Sequence, residues 1–282
     1  MEELRLELFG QPVVCRDGES RSAVAASLQP MLAFLALEPE SVCSRDRLID
    51  CLWPDAHHGR QRLNTAVWRC RQLFGDADVI EVHRSGYVAL DTDVVAVDVV
   101  PVARALTDGN RARVAAGDED ARRRLCGAVT TNWSRFLAGN YDDWVVRTRD
   151  RLQRAVVKGV DTLSQSASEP EEAIEWTERL VALDPLREDG HRHLIRLYAT
   201  AGRRSDALRQ YDDCVRNLRD ELGVEPLVET TLVAAAVRGR VEPLPMNGPD
   251  HRLALDDLRV ALASCRVAID QIETALASLP CD

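Results

Sequence analysis

His57-His-Gly-Arg-Gln-Arg-Leu-Asn-Thr-Ala-Val-Trp-Arg-Cys-Arg-Gln-Leu-Phe74 holds Arg60, Arg62, Arg69 and Arg71 and no acidic residue, in a chain whose net charge is -10. Leu63, Val67, Cys70 and Phe74 recur at +4, +3 and +4, which puts them on one face of a helix. The opposite face shows Arg62, Thr65, Trp68, Arg69 and Gln72. A guanidinium fork donates two parallel hydrogen bonds, which suits phosphate oxygens and the O6/N7 edge of guanine. The plain alternative is a solvated amphipathic helix, although such a face ordinarily mixes signs. Ten residues after Phe74 comes Arg84-Ser85-Gly86-Tyr87, a turn between two apolar runs at 79–82 and 87–90, which predicts a hairpin. Together these read as a DNA recognition helix followed by a β-hairpin wing.

The flanking sequence fits that reading. Leu4, Leu6 and Leu8 alternate with Arg5 and Glu7, and Val13 and Val14 follow Gly10-Gln-Pro12, so the chain opens with short antiparallel strands. A helix is predicted over 28–37. Ser44 is the expected N-cap of a second helix carrying Leu48, Ile49 and Leu52, with Pro54 as its stop. Strands, three helices and a hairpin make a winged helix.

Leu48-Ile-Asp-Cys-Leu-Trp53-Pro54, the Arg69-Cys-Arg71 step and Gly86-Tyr87 resemble the effector domain of OmpR-type response regulators, in the version found in Streptomyces antibiotic regulatory proteins. The resemblance covers about residues 1–95. The family pattern is more basic ahead of its first helix and after Gly-Tyr, where this chain has Leu28-Gln-Pro30 and Val88-Ala89. Beyond the wing, Trp133-Ser-Arg-Phe-Leu-Ala-Gly139 with Asp143-Trp144, Arg147, Arg149 and Leu152 resembles the start of the bacterial transcriptional activation domain, and Glu221-Leu-Gly-Val-Glu-Pro226 its end. Glu172-Ala173-Ile174-Glu175 and Asp206-Ala207-Leu208-Arg209 lie one tetratricopeptide period, about 34 residues, apart. Small and large apolar residues at that spacing serve as core, and the functional content of a repeat array is the groove it forms.

The expected fold is therefore mainly α with a small β component: an OmpR-type winged helix over 1–95, then an all-α tetratricopeptide-like domain over 96–242. Pro243-Leu-Pro-Met-Asn-Gly-Pro-Asp250 has linker composition. In 251–282, Leu255, Leu258, Leu262, Cys265, Ile269, Ile272, Leu276 and Leu279 follow heptad spacing, which suits either a cap on the repeats or self-association through 255–279.

Composition narrows the function classes. A net acidic chain does not coat nucleic acid or anionic membrane indiscriminately, so any DNA contact is local. No apolar run approaches the ~20 residues of a membrane span, and a cytoplasmic location is expected. The 8 cysteines form no C-x-x-C pair and suit reduced core thiols. Cys51, His57, His58 and Cys70 match no zinc spacing, so neither metal nor cofactor is expected. Phosphate-loop, nucleophile-elbow and His-Glu-x-x-His patterns are missing, and His191-Arg-His193 falls in a repeat helix, which argues against an enzyme.

The resemblance implies a sequence-specific transcriptional activator of a secondary-metabolite (antibiotic) gene cluster, one without the ATPase module of larger members. It implies double-stranded promoter DNA with direct repeats as one partner and RNA polymerase holoenzyme, including sigma factor, as the other. DNA contacts are expected from Arg60, Arg62, Asn64, Thr65, Trp68, Arg69, Arg71, Gln72 and Arg84. Polymerase contacts are expected from the loop carrying Trp53, Asp55, His57 and His58. Two rivals stay open: a regulator gated by a small ligand in the repeat groove, and a protein-interaction adaptor whose winged helix does not bind DNA.

Overall fold

The computed structural model describes residues 4–17, 20–54, 57–75 and 78–239. Leu4, Leu6 and Leu8 are buried while Arg5 is exposed, and this alternation builds β1 (Leu4–Glu7). β1 pairs antiparallel with β2 (Val13–Arg16), which pairs with β3 (Ser20–Ala23). Helix α1 (Gln29–Leu37) follows, with Met31 through Ala36 all buried; a helix apolar on every side is one surrounded by protein. β4 (Val42–Ser44) leads into α2 (Arg45–Leu52), where Ser44 Oγ caps by accepting from the Arg47 amide at 3.3 Å. Next come α3 (Gly59–Phe74) and the hairpin of β5 (Ile80–Val82) with β6 (Tyr87–Leu90). β6 also pairs with β4, giving a three-stranded sheet of order β4-β6-β5. Sequence reasoning misses β4 because three residues after a proline turn show too little alternation.

β7 (Val95–Val97) returns to the first sheet, parallel to β1, giving the order β3-β2-β1-β7. The sequence division at 95/96 falls inside this strand, which runs almost directly into α4 (Val99–Ala105). Helices α5 (Asp108–Ala115) and α6 (Glu119–Thr130) follow, capped by Thr107 and Asp118 side chains. A 3-10 turn at Trp133–Arg135 precedes the long α7 (Asp143–Ser166). The array continues with α8 (Pro170–Leu183), α9 (Glu188–Thr200), α10 (Arg204–Leu222) and α11 (Val228–Val237). α8 begins at Pro170 and α10 at Arg204, the repeat period of about 34 residues. Ala173 and Ala207, at equivalent places in the two units, are buried. The fold is an N-terminal winged helix followed by an all-α tetratricopeptide-like domain, mainly α with small sheets, as the sequence predicts. The linker and the heptad segment lie outside the described residues.

One buried cluster runs from Leu4 in β1 to Leu180 in α8, so the winged helix and the first helices behind it share a core. Asp98 fastens them. Its carboxylate accepts from the Leu8 amide at 2.9 and 3.0 Å and from the Phe9 amide at 3.1 Å. Burial raises the Asp98 pKa and these amides act the other way. Phe9 packs edge-on to Trp133 and Phe136, with ring centroids 5.3 and 6.4 Å apart. The Gly10 amide donates to the Arg135 carbonyl at 2.8 Å. Arg149 of α7 braces the loop beyond by donating to the carbonyls of Phe136, Leu137 and Asn140.

Asp98→Ala leaves the part-buried Leu8 and Phe9 amides without their acceptor. It is expected to lower unfolding free energy by about 1–3 kcal/mol, read as a lower urea midpoint. A midpoint equal to wild type would show that those amides find other partners.

Candidate nucleic-acid interface

α3 is held by Leu63, Ala66, Val67, Cys70 and Phe74, all buried against the winged-helix core. Its start lies so close to α2 that a Cβ on Gly59 would stand 2.3 Å from Ile49 Cγ2. Arg60, Arg62, Asn64, Thr65, Trp68, Arg69, Arg71 and Gln72 are all exposed. At 3.6 residues per turn they sort into three rows. Gln61, Thr65, Trp68 and Gln72 form an outward ridge; Arg62 and Arg69 flank it toward α1, and Arg60, Asn64 and Arg71 flank it toward the wing. The Trp68 side chain is 61% exposed, on the ridge.

The flanking contacts agree with this geometry. Arg69 donates to Ser27 Oγ at 3.3 Å, just ahead of α1, and Arg71 donates to the Ile80 carbonyl of β5 at 3.5 Å. Thr65 Oγ1 donates to the Gln61 carbonyl at 2.9 Å, leaving its lone pairs to accept. Ser27, Leu28, Trp53, His58, Gln61, Arg62, Thr65 and Arg69 border a cleft of about 400 Å3 on the α1 flank. Ser27 was not legible as a site residue, because a serine before a helix reads only as punctuation.

Charge separates this surface from the rest of the molecule. Among the described residues no carboxylate pairs with Arg60, Arg62, Arg69, Arg71 or Arg84. Surface arginines of the helical domain are mostly engaged: Arg113 with Asp118, Arg203 with Asp206, Arg216 with Asp213 and Arg219 with Glu225. Arg84 stands exposed at the wing tip, where Gly86 adopts φ 90°, a left-handed conformation that suits glycine. The wing is not uniformly basic, since Glu81 and His83 meet at 3.1 Å on it.

The loop residues divide. Trp53 is half-buried and packs on the core, with its amide on the Ile49 carbonyl at 2.8 Å; His57 and His58 are exposed, and Asp55 lies outside the described residues. His57 and His58 border a groove with Asp46 and Asp50 of α2. Cys70 points into the core, where burial pushes its thiol pKa up to about 12, so it does not gather with the histidines. Among the described residues no group of three or more His, Cys, Asp or Glu is placed to hold a metal ion, and no helix is long and apolar enough to cross a membrane. In α9, His191 is buried between the Pro185 carbonyl and Gln210, at 2.9 and 2.6 Å, which makes it a packing residue.

Comparison with known proteins places these features in context. The family model described as the bacterial transcriptional activator domain matches residues 97–238. Regulatory protein AfsR of Streptomyces griseus is 27% identical over 234 residues, covering 81% of this chain and 24% of AfsR. The chain thus spans about a quarter of the length of that relative. Transcriptional regulatory protein MoaR1 of Mycobacterium tuberculosis is 26% identical over 246 residues, covering 77% of this chain and 78% of MoaR1. The solved structure of Mycobacterium tuberculosis EmbR in complex with low affinity phosphopeptide superposes with a TM-score of 0.61 at 21% identity, covering 96% of this chain and 72% of that one. That likeness is one of fold.

Gly59→Ala must displace the stiff Ile49 side chain or the start of α3. The expected cost is about 1–3 kcal/mol of stability, the usual range for overpacking, read as a lower thermal midpoint. Ile49→Val, which leaves Cγ2 in place, should not restore it, whereas Ile49→Ala should recover part. An unchanged midpoint in Gly59→Ala would show that α2 and α3 separate freely.

Proposed function

The chain belongs to the bacterial transcriptional activator domain family, as a regulator of the Streptomyces antibiotic regulatory protein type, and from that premise we propose that it activates transcription by binding promoter DNA through α3. The observation that carries this reading is the arginine surface of α3, which has no carboxylate partner among the described residues, on a helix whose opposite face is buried in the core. In the proposed complex the ridge of α3 enters the major groove. Thr65, Trp68 and Gln72 on the ridge and Arg62 and Arg69 on its α1 flank face base edges; Arg60, Asn64 and Arg71 take phosphates. Arg84 reaches the adjacent minor groove, where narrow A·T-rich sequence concentrates negative potential.

Two protomers bind head to tail on direct repeats about one helical turn apart. The loop carrying Trp53, Asp55, His57 and His58, together with the helical domain, recruits RNA polymerase holoenzyme including its sigma factor. The promoter belongs to a secondary-metabolite cluster, as the resemblance to Streptomyces antibiotic regulatory proteins implies. The protein acts in the cytoplasm and catalyses no reaction. The paired surface of the helical domain fits protein contact better than phosphate contact.

Binding to neighbouring promoters, titrated with salt beside a scrambled competitor, tests this. Arg69→Ala is expected to cost about 1–3 kcal/mol and relax base preference. Arg60→Ala should weaken all sequences alike and flatten the salt slope by about one unit. Equal losses on matched and scrambled sites would overturn the division of roles. No binding by wild type at low salt would overturn the DNA reading in favour of a protein-interaction adaptor.

A further inference from the structure

A cleft of about 170 Å3 opens where α1 and α2 of the winged helix meet α7. Phe34, Leu37 and Cys51 form its apolar side, and Arg47, Arg147 and Arg151 bring guanidinium groups to it from both units. Two carboxylates accompany them, Glu38 as part of the cleft's own lining. Glu38, with a side chain only 7% exposed, holds Arg47 at 2.7 Å; Asp143, largely in solvent, lies 3.8 Å from Arg147. Arg151 has no ion pair among the described residues.

Trp144 lines the same cleft, its ring edge-on to Phe34 with centroids 5.5 Å apart. The residue is 5% exposed, and its indole Nε1–H has no acceptor among the described residues. Guanidinium groups in excess of their carboxylates draw anions.

We propose that this cleft binds a small oxyanion, the phosphoryl or carboxylate group of a metabolite, held by Arg47, Arg147 and Arg151, with Thr148 beside them. The volume lies below the ~300–1,000 Å3 of pockets that enclose a whole ligand, so only the charged end of a larger molecule is enclosed. Arg47 belongs to the winged helix and Arg147 and Arg151 to α7, so a bound anion ties the two units together. It stabilises their present register by RT ln(1 + L/Kd), with L its free concentration, rising with the logarithm of that concentration once the site is filled. The site stands whether or not α3 binds DNA.

Isothermal titration of inorganic phosphate, and separately of acetate, into the full chain at fixed ionic strength tests the proposal. Saturable one-site binding is expected, weakened about tenfold in Arg151→Gln and unchanged in Arg124→Gln, an exposed arginine of α6 outside the cleft. Phosphate binding tighter than acetate assigns a phosphoryl group, and the reverse order a carboxylate. No saturable heat with either anion, or wild-type affinity in Arg151→Gln, overturns the site.

Discussion

The Asp98 carboxylate is the constraint on which the rest of the molecule depends. It sits at the end of β7 and accepts the Leu8 and Phe9 amides as the chain leaves β1. Those amides have no strand partner at that point, so without Asp98 the first sheet would end in unsatisfied, partly buried donors. Because Asp98 immediately precedes α4, the same contact sets where the helical domain begins. Phe9 then lies against Trp133 and Phe136, and Phe34 of α1 meets Trp144 of α7. The winged helix and the helical domain are therefore joined by packed aromatic rings and backbone hydrogen bonds rather than by a tether.

Such a junction bears on how a signal could pass. Interiors packed at crystal-like density transmit displacement rather than absorb it. α1 is buried on all sides between the sheets and the helical domain, and α2 and α3 pack in turn around it. α7 meets α1 through Trp144 and Phe34, and α2 packs on both α1 and α3. The cleft bordered by Arg47, Arg147 and Arg151 lies beside this contact, at the N-terminal part of α7.

Much of the candidate site's geometry was legible in the sequence because α3 is a regular amphipathic helix. Leu63, Val67, Cys70 and Phe74 define its buried side by spacing alone, and so by elimination the exposed arginines. Ser44 as a cap and the hairpin around Gly86 were legible for the same reason: each is a local rule acting over a few residues. What escaped was non-local. β4 becomes a strand only by pairing with β6, some 45 residues later, and Ser27 matters only because Arg69 lies across from it.

By itself the sequence determined the helical periodicities, the caps, the wing turn, the repeat period and the concentration of arginine without acidic residues on one helix, since these follow from composition, side-chain spacing and backbone preference. Only the tertiary structure decided that β7 closes the first sheet, that Asp98 and Phe9 fuse the two units, and that α2 and α7 bring their arginines to one cleft. Those arrangements join residues distant along the chain through burial and hydrogen-bond satisfaction, and neither quantity exists until the chain has folded.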